Sequence, residues 1–512
     1  VQDAQQEVVA FLRRPASFGL DDGGVEVVET HCSIVFLAGD RAYKLKRAVK
    51  YPYLDFSTPA LRQAACAAEL ALNRRTAPQL YLEVKAIGRR RDGTVGWDGE
   101  GAALDWVVVM RRFDQDRLLD HIAEAGQLSA PLMLALADHI ADFHGHAELC
   151  SQQGGGAAMA EVAETNIGIL RACASAGFAA AQIDELQARI SAGLARAGSR
   201  LDLRRAAGKV RRCHGDLHLR NICVVEERPV LFDCIEFSEP IASIDVLYDL
   251  AFLLMDLDHR GHRDLANLTL NRYLDLTAEE DGLAALPAFM ALRAVIRAHV
   301  TATTAEHGWG TGDRAVAFAE AHRYVDEAEA MLRPAPPRLI AIGGLSGSGK
   351  SSLALRLAPE IGVPPGARLL RSDVLRKRHF GVMPEEPLPP EAYSAGVTAL
   401  VYRELCERAA MALDAGYSAV IDAVALREAE RRAFAEVAAA AGVPFTGLWL
   451  HAPAEIMRER IDVRRGDASD ATVDVLDRQL RHDPGALDWR RIDASGGPEA
   501  TLETARLALG PE

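Results

Sequence analysis

The sequence has no basic surplus: its 58 Lys and Arg face 72 Asp and Glu, for a net charge of −14 over 512 residues. Non-specific nucleic-acid binding needs a basic face that displaces counterions, so that class is disfavoured. Paired cysteine motifs are also missing. Cys32, Cys66, Cys150, Cys173, Cys213, Cys223, Cys234 and Cys406 are scattered, with no C-x-x-C and no neighbouring His pair. This argues against structural zinc and for reduced thiols packed as small apolar groups. No apolar run approaches the ~20 residues that span a bilayer. The opening residues, with Asp3 and Glu7, do not read as a secretory signal. The expectation is a cytoplasmic chain without a membrane partner. Internal repeats are absent as well. What is present is an ordinary globular balance, 49% apolar and 25% charged, on a chain long enough to need more than one hydrophobic core.

One boundary is legible. Arg333-Pro334-Ala335-Pro336-Pro337 removes backbone donors and disfavours helix, so 333–337 reads as a linker between domains at 1–332 and 338–512. After it, strand-like runs (338–343, 367–371, 418–423, 445–451, 490–494) alternate with helix-like ones (351–361, 391–415, 427–441, 454–465) and a closing helix. That alternation predicts an α/β fold with a parallel sheet. The first half reads as α+β: a strand-rich small lobe to about residue 112, with a helix at 60–75, ahead of a helical lobe to 332. The Gly-rich run 152–158 reads as a loop between helices.

Between the first strand and helix of the second half lies Gly344-Leu345-Ser346-Gly347-Ser348-Gly349-Lys350-Ser351. Glycines let backbone N–H groups converge on phosphate oxygens, and the helix N-terminus adds its positive end. Lys350 then reaches the β/γ phosphates and Ser351 ligands Mg²⁺, with Ser346, Ser348 and Ser352 alongside. Asp422 ends an apolar strand where a carboxylate holds Mg²⁺ or its water. Asp373 closes the strand after the loop helix, where it can serve as base to an acceptor hydroxyl. Both aspartates also fit a helix N-cap. Arg458, Arg460, Arg464 and Arg465 lead into Gly466–Asp470, a candidate lid whose guanidinium groups, Arg460 and Arg464 above all, would neutralise the transferred phosphoryl. A solvated helix face is the competing reading. Together these features resemble small P-loop kinases of the shikimate, gluconate and polynucleotide 5'-hydroxyl kinase type, with the chloramphenicol phosphotransferase and zeta-toxin relatives, over 338–512.

The first half carries His214-Gly215-Asp216-Leu217-His218-Leu219-Arg220-Asn221, followed by Leu231-Phe232-Asp233. The spacing is that of a kinase catalytic loop: Asp216 as base, Asn221 and Asp233 as magnesium ligands. The opening His-Gly-Asp resembles aminoglycoside phosphotransferases and their choline, fructosamine and homoserine kinase relatives. The resemblance implies a two-lobed kinase-like fold over 1–332. Upstream, Lys44 and Lys46 share one face of a strand, and Glu69 lies on the helix where the ion-pairing glutamate belongs. Lys44 is the preferred phosphate ligand and Lys46 stays open. No G-x-G-x-x-G precedes the lysines; Thr30 or Ser33 at that turn would cover the phosphates. Trp106–Arg112 fits an inter-lobe hinge or a core strand. In the resembled family an acid near Asp245 and Asp249 braces the catalytic loop. Asp256 and Asp258 read as a solvated helix end, with an acceptor-lining role as the alternative.

The composite expectation is a bifunctional phosphotransferase using Mg²⁺ and ATP or GTP, with small hydroxylated acceptors such as sugars, aminoglycosides or amino alcohols. Two alternatives stand beside it. A polynucleotide 5'-hydroxyl kinase in the second half needs a basic groove at Arg371, Arg376, Lys377 and Arg378. A nucleotide-sensing regulator would hydrolyse ATP weakly.

Overall fold

The computed structural model describes the chain except residues 1, 22–23, 31, 52–53, 98, 309–312, 464–467 and 511–512. It divides into two compact units, Val1–Asp256 with Leu292–Ala328, and Leu257–Ala291 with Glu329–Glu512.

The first unit opens on helix α1 (Gln2–Leu12) and a six-stranded sheet of β1 (Glu26–Glu29), β2 (Ser33–Ala38), β3 (Arg41–Lys46), β4 (Tyr81–Arg89), β5 (Val95–Trp97) and β6 (Asp105–Arg111). The spatial order is β1-β2-β3-β6-β4-β5, antiparallel throughout. Alternation along the strands sorts side chains by face. Leu45, Val107 and Val109 pack with Val8, Phe11 and Leu12 of α1. Ala42, Val108 and Met110 pack on the other face with Cys66, which belongs to helix α2 (Pro59–Asn73). Lys44 and Lys46 share the parity of Ala42 and so point toward α2. Thr58 caps α2 by accepting from Leu61 N, with Pro59 at its first turn. Trp106–Arg111 lies in the core strand β6, which pairs with both β3 and β4, and Arg112 follows its end.

Helices dominate thereafter, including α3 (Ala130–His146) and α4 (Val246–His259), around a hairpin of β7 (Ile222–Val225) and β8 (Arg228–Leu231). The Gly-rich run expected to be loop is partly helical, because a helix starts at Gly155. A Cβ on Gly156 would stand 3.0 Å from Gly198 Cα. The glycine therefore serves close helix packing rather than a turn.

The second unit is built on β9 (Leu339–Gly344), β10 (Arg368–Arg371), β11 (Ala419–Asp422), β12 (Phe445–His451) and β13 (Arg490–Asp493), all parallel in the order β10-β11-β9-β12-β13. Its core joins Ile340, Ile342, Val420, Leu448 and Ile492 to Leu353 and Leu357. Residues 257–291, placed before the linker by sequence, group with this unit. The physical reason is β10, an edge strand with open backbone groups. Helix α5 (Arg263–Thr277) supplies side chains in place of a sixth strand. Asn271 Oδ1 accepts from Leu369 N at 2.7 Å, and Asn267 Nδ2 donates to Ala367 O at 3.0 Å. The buried Arg368 guanidinium meets Asp275 at 2.7 Å and Glu280 at 3.0 Å. Glu280 also accepts from Arg408 at 2.8 Å.

Among the described residues one helical stretch, Glu280–His307, is long and apolar enough to cross a membrane, with an 18-residue window of mean hydropathy 1.4; 72% of that window is buried inside the protein, as in a core helix. All eight cysteines are free thiols.

Candidate active sites

In the first unit the catalytic loop runs from β-strand Val210–Arg212 to β7. Asn221 donates from Nδ2 to Asp216 O and Oδ2, both at 2.9 Å. That leaves Asn221 Oδ1 as the oxygen available to a metal. His218 Nε2 lies 3.3 Å from Asp216 Oδ2. Burial opposes ionisation of Asp216, but His218, His214 and Arg297 outweigh it and hold its pKa well below the ordinary carboxylate value. Asp233 sits at φ +63, a left-handed conformation uncommon for a non-glycine residue. Its N–H donates to Tyr81 Oη at 3.1 Å. The buried face of α2 then ties the site together. Asn73 Oδ1 accepts from Cys234 N at 2.8 Å, and Arg62 pairs with Asp105 at 2.7 Å. Glu69, fully buried, pairs with Lys44 at 2.9 Å and also with Lys46.

Both lysines therefore converge on Glu69. Lys44 in addition pairs with Asp233, whereas Lys46 pairs with Glu236. Lys44 is thus the one beside the expected metal ligand. Burial disfavours its charge, yet Asp233 and Glu69 raise its pKa well above the ordinary value. Ser33 begins β2 opposite Lys46, buried, with its N–H donating to Thr30 Oγ1 at 3.0 Å. The Thr30 hydroxyl is therefore engaged within its own turn.

The loop is braced from behind. Asp249 accepts from His214 N at 3.0 Å and Gly215 N at 2.8 Å, with His144 Nε2 of α3 at 3.1 Å. Asp245 takes the buried Arg204 guanidinium at 2.8 Å. The expected bracing acid is Asp249, and Asp245 secures the neighbouring helix. Asp256 departs from a solvated helix end: it is buried and accepts from Leu219 N at 2.9 Å. Asp258 pairs with Arg263 at 2.7 Å. His144, Cys213 and Asp249 form the group of metal-ligating type among the described residues, but Asp249 is already engaged by loop amides.

In the second unit the phosphate loop joins β9 to helix α6 (Lys350–Leu357), with Gly349 as N-cap at φ +94. Gly344 and Gly347 also take positive φ, and a Cβ on Gly347 would stand 2.4 Å from Met457 O. Only glycine fits there. Ser348 Oγ is buried without a partner, an orphaned polar group of the kind a bound phosphate satisfies. Ser346 N donates to Gln479 Oε1 at 2.8 Å and Lys350 Nζ to Leu345 O at 2.9 Å. Ser352 follows Ser351 in the first turn of α6. Ser351 Oγ donates to Asp422 Oδ2 at 2.6 Å, an all-oxygen pair suited to Mg²⁺. Register explains the rest: Arg371 and Ile342 both lie opposite Asp422, and Arg371 Nε sits 3.4 Å from that carboxylate. Asp373 lies in the first turn of helix α7 (Ser372–His379). Burial and Asp422 raise its pKa above the ordinary value, against Ser469, Arg371 and Lys350. Asp373 thus stands within electrostatic reach of both Asp422 and Lys350.

The arginines of helix α8 (Ala454–Val463) separate. Arg460 donates to Gly496 O at 2.9 Å, and its Nη1 would lie 3.8 Å from a Cβ on Gly349, beside the loop. Arg458 instead pairs with Asp477 at 2.8 Å. Arg464 and Arg465 lie outside the described residues. Asp470, at the end of the expected lid, is held by Lys377 at 2.8 Å, Leu388 N at 3.0 Å and Tyr393 Oη at 2.7 Å. Sequence reasoning missed this anchor, as it missed Glu236 and Gln479, because each partner is distant along the chain. Of the four residues named for an oligonucleotide-binding groove, three are engaged within the protein: Lys377 is buried against Asp470, Arg376 is buried and donates to Ala392 O at 2.6 Å, and Arg371 faces Asp422, while Arg378 is partly exposed.

Comparison with known proteins agrees with this geometry. The family described as "Phosphotransferase enzyme family" matches residues 37–286, and that described as "AAA domain" matches 339–483. An uncharacterized protein of Mycobacterium tuberculosis is 31% identical over 500 residues, 95% of each chain, and one of Mycobacterium bovis matches equally. Among solved structures, a choline/ethanolamine kinase family protein from Mesorhizobium loti is 16% identical, covering 64% of this chain and 95% of its own (TM-score 0.39). A gluconokinase from Sinorhizobium meliloti is 23% identical, covering 34% and 93% (TM-score 0.24). The chain therefore belongs to the family that joins a phosphotransferase-enzyme domain to a P-loop kinase domain, and it is a kinase, built for ATP-dependent phosphoryl transfer to hydroxyls.

Proposed function

We propose that the protein is a bifunctional cytoplasmic kinase, each unit with its own nucleotide and Mg²⁺, phosphorylating hydroxyls of small molecules such as sugars, aminoglycosides or amino alcohols. The observation that carries this reading is the presence of two separate sets of phosphate-handling groups. In the first unit Lys44 meets the phosphates, Asn221 and Asp233 hold metal, and Asp216, kept ionised, receives the acceptor proton. In the second, the loop amides and Lys350 hold phosphates, Ser351 and Asp422 hold Mg²⁺, Asp373 faces the acceptor, and Arg460 balances charge on the moving phosphoryl group. Bound Mg²⁺ supplies charge neutralisation, while the residues supply positioning.

The test is a phosphoryl-transfer screen over sugars, aminoglycosides, amino alcohols and oligonucleotide 5' ends, run on the parent, Asp216→Ala and Lys350→Ala. Each accepted substrate should be lost in one variant and kept in the other. Full activity of both variants toward every substrate would refute the assignment.

A further inference from the structure

The first site contains a second lysine–glutamate pair that the kinase chemistry above does not use. Lys44 and Lys46 stand two residues apart on β3 and reach different oxygens of Glu69, Lys44 at Oε1 and Lys46 at Oε2. Each lysine has a further carboxylate, Lys44 that of Asp233 and Lys46 that of Glu236. Asp233 and Glu236 belong to one short segment, Asp233-Cys234-Ile235-Glu236, directly after β8. Strand, helix and segment are thus closed into a ring by five charged groups.

The two halves of the ring differ in access. Lys44 and Asp233 are 13% and 39% exposed at the side chain; Lys46, Glu69 and Glu236 are 2%, 0% and 5%. The outer half is partly open to solvent and the inner half is sealed. Charge points the same way. Three carboxylates face two ammonium groups, so the ring carries one surplus negative charge until a cation takes Asp233. A cation held by Asp233 would free Lys44 to turn to phosphate, with Lys46 remaining between Glu69 and Glu236.

We propose that Lys46 and Glu236 are a positioning pair for nucleotide binding: they hold Glu69 and the segment bearing Asp233 in place, so that Lys44 is free to exchange Asp233 for the phosphates. The pair acts through Glu69 and Asp233 and does not itself touch nucleotide. This rests on the reading of the first site as a Mg²⁺–ATP site. Partners that orient a ligand-binding group in this way change affinity by about 10- to 100-fold when removed. A pair serving stability alone can be replaced by two uncharged residues with little loss. The double substitution therefore separates the two roles.

The experiment measures Mg²⁺–ATP binding calorimetrically, together with melting temperature, on the full-length chain carrying Lys350→Ala to silence the second site. Lys46→Met should weaken binding about 10- to 100-fold, and Lys46→Arg should restore most of it. Lys46→Met/Glu236→Gln should regain melting temperature yet remain weak in binding. Parental affinity in a well-folded double variant would overturn the proposal. If the Lys350→Ala parent itself bound no Mg²⁺–ATP, the nucleotide reading of the first site would fall, and this inference with it. Should Lys46→Met not fold, Glu236→Gln alone carries the test: weakened binding without a lower melting temperature supports positioning, and unchanged binding refutes it.

Discussion

The two phosphate-handling loops are made in opposite ways. In the second unit the loop is shaped by its own backbone: Gly344, Gly347 and Gly349 take conformations that other residues resist, and the following helix starts at Lys350. In the first unit the catalytic loop owes its shape to distant side chains. Asp249 takes the amides of His214 and Gly215, Asp256 takes that of Leu219, and His144 stands behind Asp249. A locally encoded loop tolerates changes elsewhere in its unit. A braced loop does not, which is why its supports are buried and charged.

The largest test of that contrast is at the reacting groups. Asp216→Asn should lower turnover at the first site by about 10²–10⁴-fold and leave Lys350-dependent turnover intact, as steady-state assays with each acceptor would measure. Loss of both activities would break the separation of the two sites. Next comes the edge of the parallel sheet. Glu280→Ala strips the buried Arg368 and Arg408 of a shared carboxylate, a loss of about 3–5 kcal/mol for a broken buried pair. Denaturant unfolding should show it in the second unit, and a fragment of residues 338–512, lacking α5 and Glu280, should be destabilised likewise. A fully stable fragment would contradict the role given to α5.

The brace itself is tested by Asp249→Ala, which leaves two buried amides without their acceptor, at about 1–3 kcal/mol each. Melting temperature and first-site turnover should fall together, with no change in second-site KM. The smallest effect concerns His299, buried with Nε2 2.9 Å from Asn166 Oδ1. Burial first, then Arg297, hold its pKa down to about 4. An unfolded histidine protonates near about 6.5. Between those values the unfolded chain binds more protons, so this residue's contribution is present above pH 6.5 and lost as pH falls toward 4. His299→Asn should narrow the melting-temperature gap between neutral and mildly acidic buffer by about 2–4 °C per kcal/mol removed.

How much of this was legible beforehand follows the same division. The strands of the second unit fall within a residue or two of the strand-like runs; the central β9 and β11 are buried along their whole length, as a parallel strand covered on both faces must be, whereas the edge strand β13 buries only Ile492. Helix α7 is missing from the helix-like runs because Arg376-Lys377-Arg378 hides its apolar stripe, although the N-cap reading of Asp373 implied a helix there; the N-cap proves to be Arg371, and two of those cations are buried through partners far along the chain. Asp216, Asn221 and Asp233 were proposed from spacing and Glu69 from the place of the ion-pairing glutamate in the resembled family, while the parity of the strand put Lys44 and Lys46 on one face without separating them. Glu236 carried no signal, because a glutamate after an aspartate segment is ordinary until Lys46 is seen beside it.

By itself, then, the sequence pointed to two kinase units and to candidate residues for each phosphate site, because spacing, glycine conformation and strand and helix periods are local properties. Tertiary structure alone decided that residues 257–291 complete the second unit, that Asp256 supports a loop rather than facing solvent, and that Lys46 has a carboxylate of its own. Those outcomes depend on which buried charges and open backbone groups meet across the fold, and a buried group must find its partner wherever the chain brings one.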